Sequence, residues 1–81
     1  MKRIEYTPAA LKSLARMQPR RSAAIVAKLE AYASGAVVDI RKMAGNPFYR
    51  IRVGRDRVII DEKGVIIMVI DAGPRGSIYK E

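Results

Sequence analysis

The strongest constraint on the fold lies between Phe48 and Asp71, where breakers cut an apolar-rich stretch into three pieces of strand length. Gly54-Arg55 separates residues 48–53 from 56–61, and Glu62-Lys63-Gly64 separates 56–61 from 65–71. Both separators have hairpin length, and the pieces are rich in valine and isoleucine, which suit a pleated surface. In the first piece, alternation puts Tyr49, Ile51 and Val53 on one face and Arg50 and Arg52 on the other. The last piece is apolar at every position from Val65 to Ile70, which predicts a central strand covered on both sides.

Upstream the period changes from two to helical. Residues 2–6 read as a short strand with Ile4 and Tyr6 apolar. Thr7-Pro8 reads as a helix start, with Thr7 as N-cap and Pro8 where a missing N–H costs nothing. Leu11, Leu14 and Met17 follow at helical spacing, beside Ala10 and Ala15. Pro19 opens a second helix to about Ser34, where Ile25, Leu29 and Tyr32 form an amphipathic stripe and Gly35 ends it. The short connection predicts an antiparallel helical hairpin. Residues 36–47 read as irregular, ending in the breakers Gly45-Asn46-Pro47. The expected fold is therefore α+β in the order β-α-α-β-β-β, with the helices on one face of a mainly antiparallel four-stranded sheet. The 81 residues leave room for one domain, 1–81.

Composition narrows the chemistry. Sixteen Lys and Arg face eight Asp and Glu, a net charge of +8, and histidine and cysteine are absent. Thiolate and imidazole chemistry is excluded, and no recognisable metal-ligand spacing or cofactor motif is present. The longest apolar run is far short of the ~20 residues that span a bilayer, and no signal-peptide pattern opens the chain. The expectation is a soluble cytoplasmic protein with an acidic partner. Between Arg41 and Arg57, six basic residues (Arg41, Lys42, Arg50, Arg52, Arg55, Arg57) accompany one acid, Asp56. Arg50 and Arg52 share a face at roughly 6.5–7 Å, and Arg57 joins them if the turn's register allows. Arginine grips phosphate with a planar two-pronged fork, so this face points to nucleic acid rather than to an idle solvated surface. Arg55 lies at the turn. Near the end of the chain, Arg75 reads either as a surface charge or as part of the same site. Tyr79 reads either as an apolar plug or as a phenol able to stack on a base.

Taken in order, Tyr49-Arg50-Ile51-Arg52-Val53-Gly54, Arg57-Val58-Ile59-Ile60, the apolar strand, Gly73-Pro74-Arg75 and Tyr79 resemble the RelE/ParE toxin superfamily. Thr7-Pro8-Ala9-Ala10 and Arg41-Lys42-Met43-Ala44-Gly45 are similar to it as well, so the resemblance spans the chain. It departs from the pattern in two places. Arginine fills both positions of the basic pair, where several members have lysine, and Gly73-Pro74-Arg75-Gly76 lacks a histidine and one basic residue.

The resemblance implies a toxin neutralised by a cognate, acidic antitoxin. In the RelE-like branch it implies a ribosome-dependent mRNA endonuclease working without metal or cofactor. Arg50, Arg52, Arg57, Arg75 and Tyr79 then match the catalytic positions, and Arg41, Lys42 and Arg55 fall to ribosomal RNA contacts. The ribosome and mRNA are the implied targets, DNA contact comes only through the toxin–antitoxin complex, and no membrane is involved. A gyrase inhibitor of ParE type and a module that only holds an antitoxin stand as alternatives. Guanidiniums suit the charge of a phosphorane, whereas proton transfer is left to Tyr79, whose phenol needs neighbouring cations to acidify it.

Overall fold

The computed structural model describes residues 1–74, so the expected site residues Arg75 and Tyr79 lie outside the described residues. The elements run β1 (Arg3–Tyr6), α1 (Pro8–Arg16), α2 (Pro19–Ala33), β2 (Ile40–Lys42), β3 (Tyr49–Val53), β4 (Asp56–Lys63) and β5 (Ile66–Pro74). They form one sheet in the order β1-β5-β4-β3-β2, with β1 parallel to β5 and the other neighbours antiparallel. The α+β class and the helical pair match the expectation. The strand count is five rather than four.

The additional strand is β2, inside the segment read as irregular. Three residues with one apolar member carry no period to detect; β3 supplies the order. Arg52 N donates to Asp39 O at 2.9 Å, and Met43 N donates to Phe48 O at 3.0 Å, bracketing the ladder on both sides. Asn46 Oδ1 then accepts the Phe48 N–H at 2.9 Å and closes the loop between β2 and β3.

The helices cover one face of the sheet and form the core with it. Ala10, Ile25, Leu29, Ala33, Ile51, Val58, Ile60, Ile67, Val69 and Ala72 are buried together there. A fully buried isoleucine or leucine contributes roughly 1.5–3 kcal/mol relative to exposure. Thr7 caps α1 as expected, accepting the Ala10 N–H on its hydroxyl at 3.1 Å. The same hydroxyl donates to Ile70 O at 2.7 Å, and Thr7 N donates to Val69 O at 3.0 Å. This double fastening holds the first turn so close to β5 that Ala10, not Leu11, is the buried residue; Leu11 is exposed.

Two details of β4 and β5 differ from the sequence reading. The second hairpin turns at Gly64-Val65, with Lys63 paired to Ile66, so Val65 is an exposed turn residue and not the start of a strand. A register shift between Ile59 and Ile60 leaves Ile70 as an extra residue on β5, and its carbonyl is the one that Thr7 takes up. Ile67 and Val69 are buried, whereas Ile66, Met68 and Ile70 are half-buried, so the strand is fully covered only on the helix side. Gly54 and Gly64 both have φ +60° at the first turn position, the type II′ pattern that suits strand twist. No helix among the described residues is long and apolar enough to cross a membrane.

Candidate functional site

The β3–β4 hairpin sorts its charges between the two faces of the sheet. Ile51 and Val58 are opposite partners on the helix side, and Arg52 and Arg57 are opposite partners on the other. One position along, Arg50 pairs with Arg41 of β2 and with Ile59 of β4. Four arginines from three strands therefore share the face that the helices leave uncovered. Two of the cross-strand pairs, Arg41–Arg50 and Arg52–Arg57, set like charges directly opposite each other. Directly opposed side chains have Cβ atoms about 4.5–5.5 Å apart, and a like-charged pair there destabilises a sheet by some tenths of a kcal/mol.

The four are not equivalent. Arg41 and Arg52 are exposed, Arg57 is half-buried, and Arg50 is only 7% exposed. Alternation read Arg50 and Arg52 as an equal pair; the structure embeds the first and presents the second. Ile59 and Met43 are also buried, yet neither belongs to the helix-side cluster. Ile59 sits beside Arg50 in register, so the arginine face has an apolar floor at its centre. The sequence carried the signal in Val58-Ile59-Ile60, where an unbroken apolar run requires cover on both faces.

The remaining expected contacts divide. Arg55 is exposed at the hairpin turn and lines a cleft of about 140 Å³ with Arg52, Gly54, Asp56 and Arg57. Lys42 pairs with Tyr49, on the face opposite Arg41. Its ammonium donates to Asn46 O at 2.6 Å and to Met43 O at 3.2 Å, and lies 6.0 Å from the centre of the Tyr49 ring. Lys42 therefore braces the loop after β2 and stands apart from the arginine cluster. β5 ends opposite this hairpin, with Gly73 paired to Arg57 and Pro74 to Asp56. Gly73-Pro74, past the strand end expected at residue 71, still belongs to the ladder.

Asp56, the acid within the hairpin, faces the helices and is 3% exposed. Arg21 in the first turn of α2 grips it with two donors, Nε to Oδ2 at 3.1 Å and Nη2 to Oδ1. That hydrogen bonding outweighs desolvation and holds the Arg21 guanidinium more firmly protonated than usual. At the other end of β4, Glu62 accepts from Tyr32 Oη at 2.6 Å and from Lys2 Nζ. Burial pushes the Glu62 carboxyl up, but these two donors overcome it and hold the group below its usual value. Burial first, then the Glu62 contact, pushes the Tyr32 phenol up to about 12. Among the described residues no three His, Cys, Asp or Glu side chains gather as a metal site requires.

No protein-family model matches the chain, and no curated protein matches it. Solved structures do. A chain of the RelB–RelE antitoxin–toxin complex from Methanococcus jannaschii is 26% identical, with TM-score 0.69, over 90% of this chain and 92% of that one. A chain of the archaeal RelE–RelB complex from Pyrococcus horikoshii is 21% identical, with TM-score 0.72, over 95% and 98%. YafQ from E. coli shares the fold at TM-score 0.76 with 11% identity, over 95% and 97%.

By fold the chain belongs to the RelE-like toxin superfamily. In this RelE-like frame, the sheet face opposite the helices carries Arg41, Arg50, Arg52 and Arg57. Sequence reasoning missed Arg21, Asp56 and Ile59. Arg21 and Asp56 are 35 residues apart and share no motif, so only the packing of α2 on the hairpin joins them.

Proposed function

We propose that this chain is the toxin of a toxin–antitoxin pair and that its arginine face grips RNA phosphate to cleave mRNA on the ribosome. The observation that carries the reading is the pair of opposed arginines, Arg41–Arg50 and Arg52–Arg57. Guanidinium forks set directly opposite each other across a ladder can engage one phosphate group from two sides. Arg52 and Arg57 are the gripping pair. Arg50, embedded beside Ile59, holds a fixed charge under the same phosphate. Arg41 and Arg55 extend the field towards ribosomal RNA; Lys42 joins them only by giving up the carbonyls of Met43 and Asn46.

In the proposed reaction the 2′-oxygen attacks phosphorus and the bond to the 5′-oxygen breaks, leaving a cyclic phosphate and a 5′-hydroxyl. Guanidiniums preorganised on a rigid sheet stabilise the charge that develops on the phosphorane. Arg75 and Tyr79 complete the proposed site, Tyr79 as the proton-transfer group. Their place in the chain supports this: the last described residues, Gly73 and Pro74, pair with Arg57 and Asp56, and Arg75 is next in sequence. The M. jannaschii and P. horikoshii structures are antitoxin–toxin complexes, which supports an antitoxin as this chain's partner. The net charge of +8 makes an acidic segment the natural occupant of the arginine face. The site of action is then the cytoplasm.

The test is purified protein added to ribosomes programmed with a defined mRNA, with 5′ ends mapped by primer extension. Cleavage within the message at the A-site codon is the expected result. Intact message together with inhibited gyrase would overturn it in favour of a gyrase poison, and intact message without toxicity would leave an antitoxin-binding module.

A further inference from the structure

Asp56 poses a problem for a phosphate-gripping hairpin. It sits between Arg55 and Arg57 in sequence, and its residue lines the same 140 Å³ cleft as Arg52, Arg55 and Arg57. A carboxylate there is a competitor for phosphate, covalently present at very high effective concentration. The structure avoids this by aiming the side chain through to the helix face. Burying a lone carboxylate in that direction carries a desolvation cost that only a well-oriented partner offsets. Arg21 meets the need with a fork that engages both oxygens. If that partner is lost, the carboxylate stands beside Arg55, which lines a cleft with Asp56 on the helix side of the hairpin tip as well as on the outer side. Arg52 and Arg55 are exposed, and neither forms an ion pair with another described residue.

We infer that Arg21 is a positioning residue that sequesters Asp56 on the helix side and so keeps Arg52 and Arg55 available for phosphate. Arg21 itself touches no substrate in this scheme. It acts from 35 residues away, by holding the hairpin's own carboxylate out of its cationic face. The inference rests on the reading of the outer face as a phosphate grip.

The experiment measures binding of a short single-stranded RNA oligonucleotide as a function of salt, on variants first checked for folding by circular dichroism. Arg21→Gln is expected to weaken binding about five- to tenfold at low salt. The slope of log affinity against log salt should fall by about 0.7, the loss of one phosphate contact on a single strand. Asp56→Asn alone should bind at least as tightly as the unmodified protein. Arg21→Gln combined with Asp56→Asn should return to within twofold of it, because no competitor remains to be held. Should Arg21→Gln fail to fold, Arg21→Lys asks the same question: a single ammonium cannot engage both carboxylate oxygens, and an intermediate loss is expected. Unchanged affinity in folded Arg21→Gln or Arg21→Lys, or a double variant as weak as Arg21→Gln, would overturn the inference. Arg52→Ala and Arg57→Ala serve as separate controls. If they bind RNA as the unmodified protein does, the phosphate reading itself fails and takes this inference with it.

Discussion

The two ends of β4 hold the same kinds of side chain and use them in opposite ways. At the Gly64 end, charge is balanced on both faces of the sheet. Inward, Glu62 is met by Lys2 and Tyr32; outward, Arg3 pairs with Glu5 at 3.5 Å and Lys63 with Asp61 at 3.6 Å. At the Gly54 end, charge is separated by face. The acid, Asp56, points inward to Arg21, and Arg52 and Arg57 stand outward with Arg41 and Arg50 beside them. Exposed ion pairs such as Arg3–Glu5 contribute little to stability, but they cancel the local field. At the Gly54 end the exposed Arg52 and Arg55 form no ion pair with another described residue and present a field that a diffusing polyanion can use. The Gly64 end is built as a clasp and the Gly54 end as a binding face, although both fasten α2 to the same strand.

The largest expected effect tests that division directly. Arg52→Ala or Arg57→Ala should lower single-turnover cleavage on programmed ribosomes by about 10²–10³-fold, the scale of losing one preorganised charge donor. Arg3→Ala and Lys63→Ala, at the balanced end, should stay within about twofold, since nothing there is aimed at a reacting phosphate. Equal losses at both ends would break the comparison.

A smaller effect belongs to the clasp. Tyr32→Phe removes the hydrogen bond to Glu62 and should cost about 1 kcal/mol in a urea melt. The pH dependence has two limbs. The Glu62 value is lowered in the folded state, so its contribution is complete above the unfolded value of 4.5 and is lost as pH falls through the folded one. The Tyr32 value is raised from 10.0 to about 12, so its contribution is complete below 10 and is lost as pH rises towards 12. Tyr32→Phe should shrink the alkaline limb to the part that Tyr6 supplies, whose phenol burial and then Glu30 also push up, and a melt with the limb undiminished would exclude Tyr32 as a source.

The smallest effect concerns the repulsion within the binding face. Arg52→Gln should raise stability by roughly 0.2–1 kcal/mol at low salt, and the gain should shrink as salt screens the Arg57 charge. A loss of stability instead would mean that Arg52 holds the hairpin together rather than straining it.

Much of this was legible beforehand, and the legible parts share a cause. The Thr7-Pro8 start, the Gly35 stop, the glycine turns and the alternation of Arg50 and Arg52 against Ile51 depend on neighbours within a few residues. β2 was not legible, because three residues carry no period. The inward turn of Lys42 was hidden for the same reason: its face follows from pairing with Tyr49. Leu11 and Ala10 exchanged places because Thr7 draws α1 onto β5. The unequal exposure of Arg50 and Arg52 depends on what packs over each, which period-two counting does not see.

The sequence by itself determined the α+β order, the helix limits and a hairpin whose arginines face away from its isoleucines, since dihedral preferences and side-chain periods are local properties of the chain. Only the tertiary structure decided that Arg52 stands opposite Arg57 and Arg41 opposite Arg50. It alone decided that Asp56 is held on the far side by Arg21. Strand register and helix docking are set by contacts between distant segments, and the charge that a face presents depends on both.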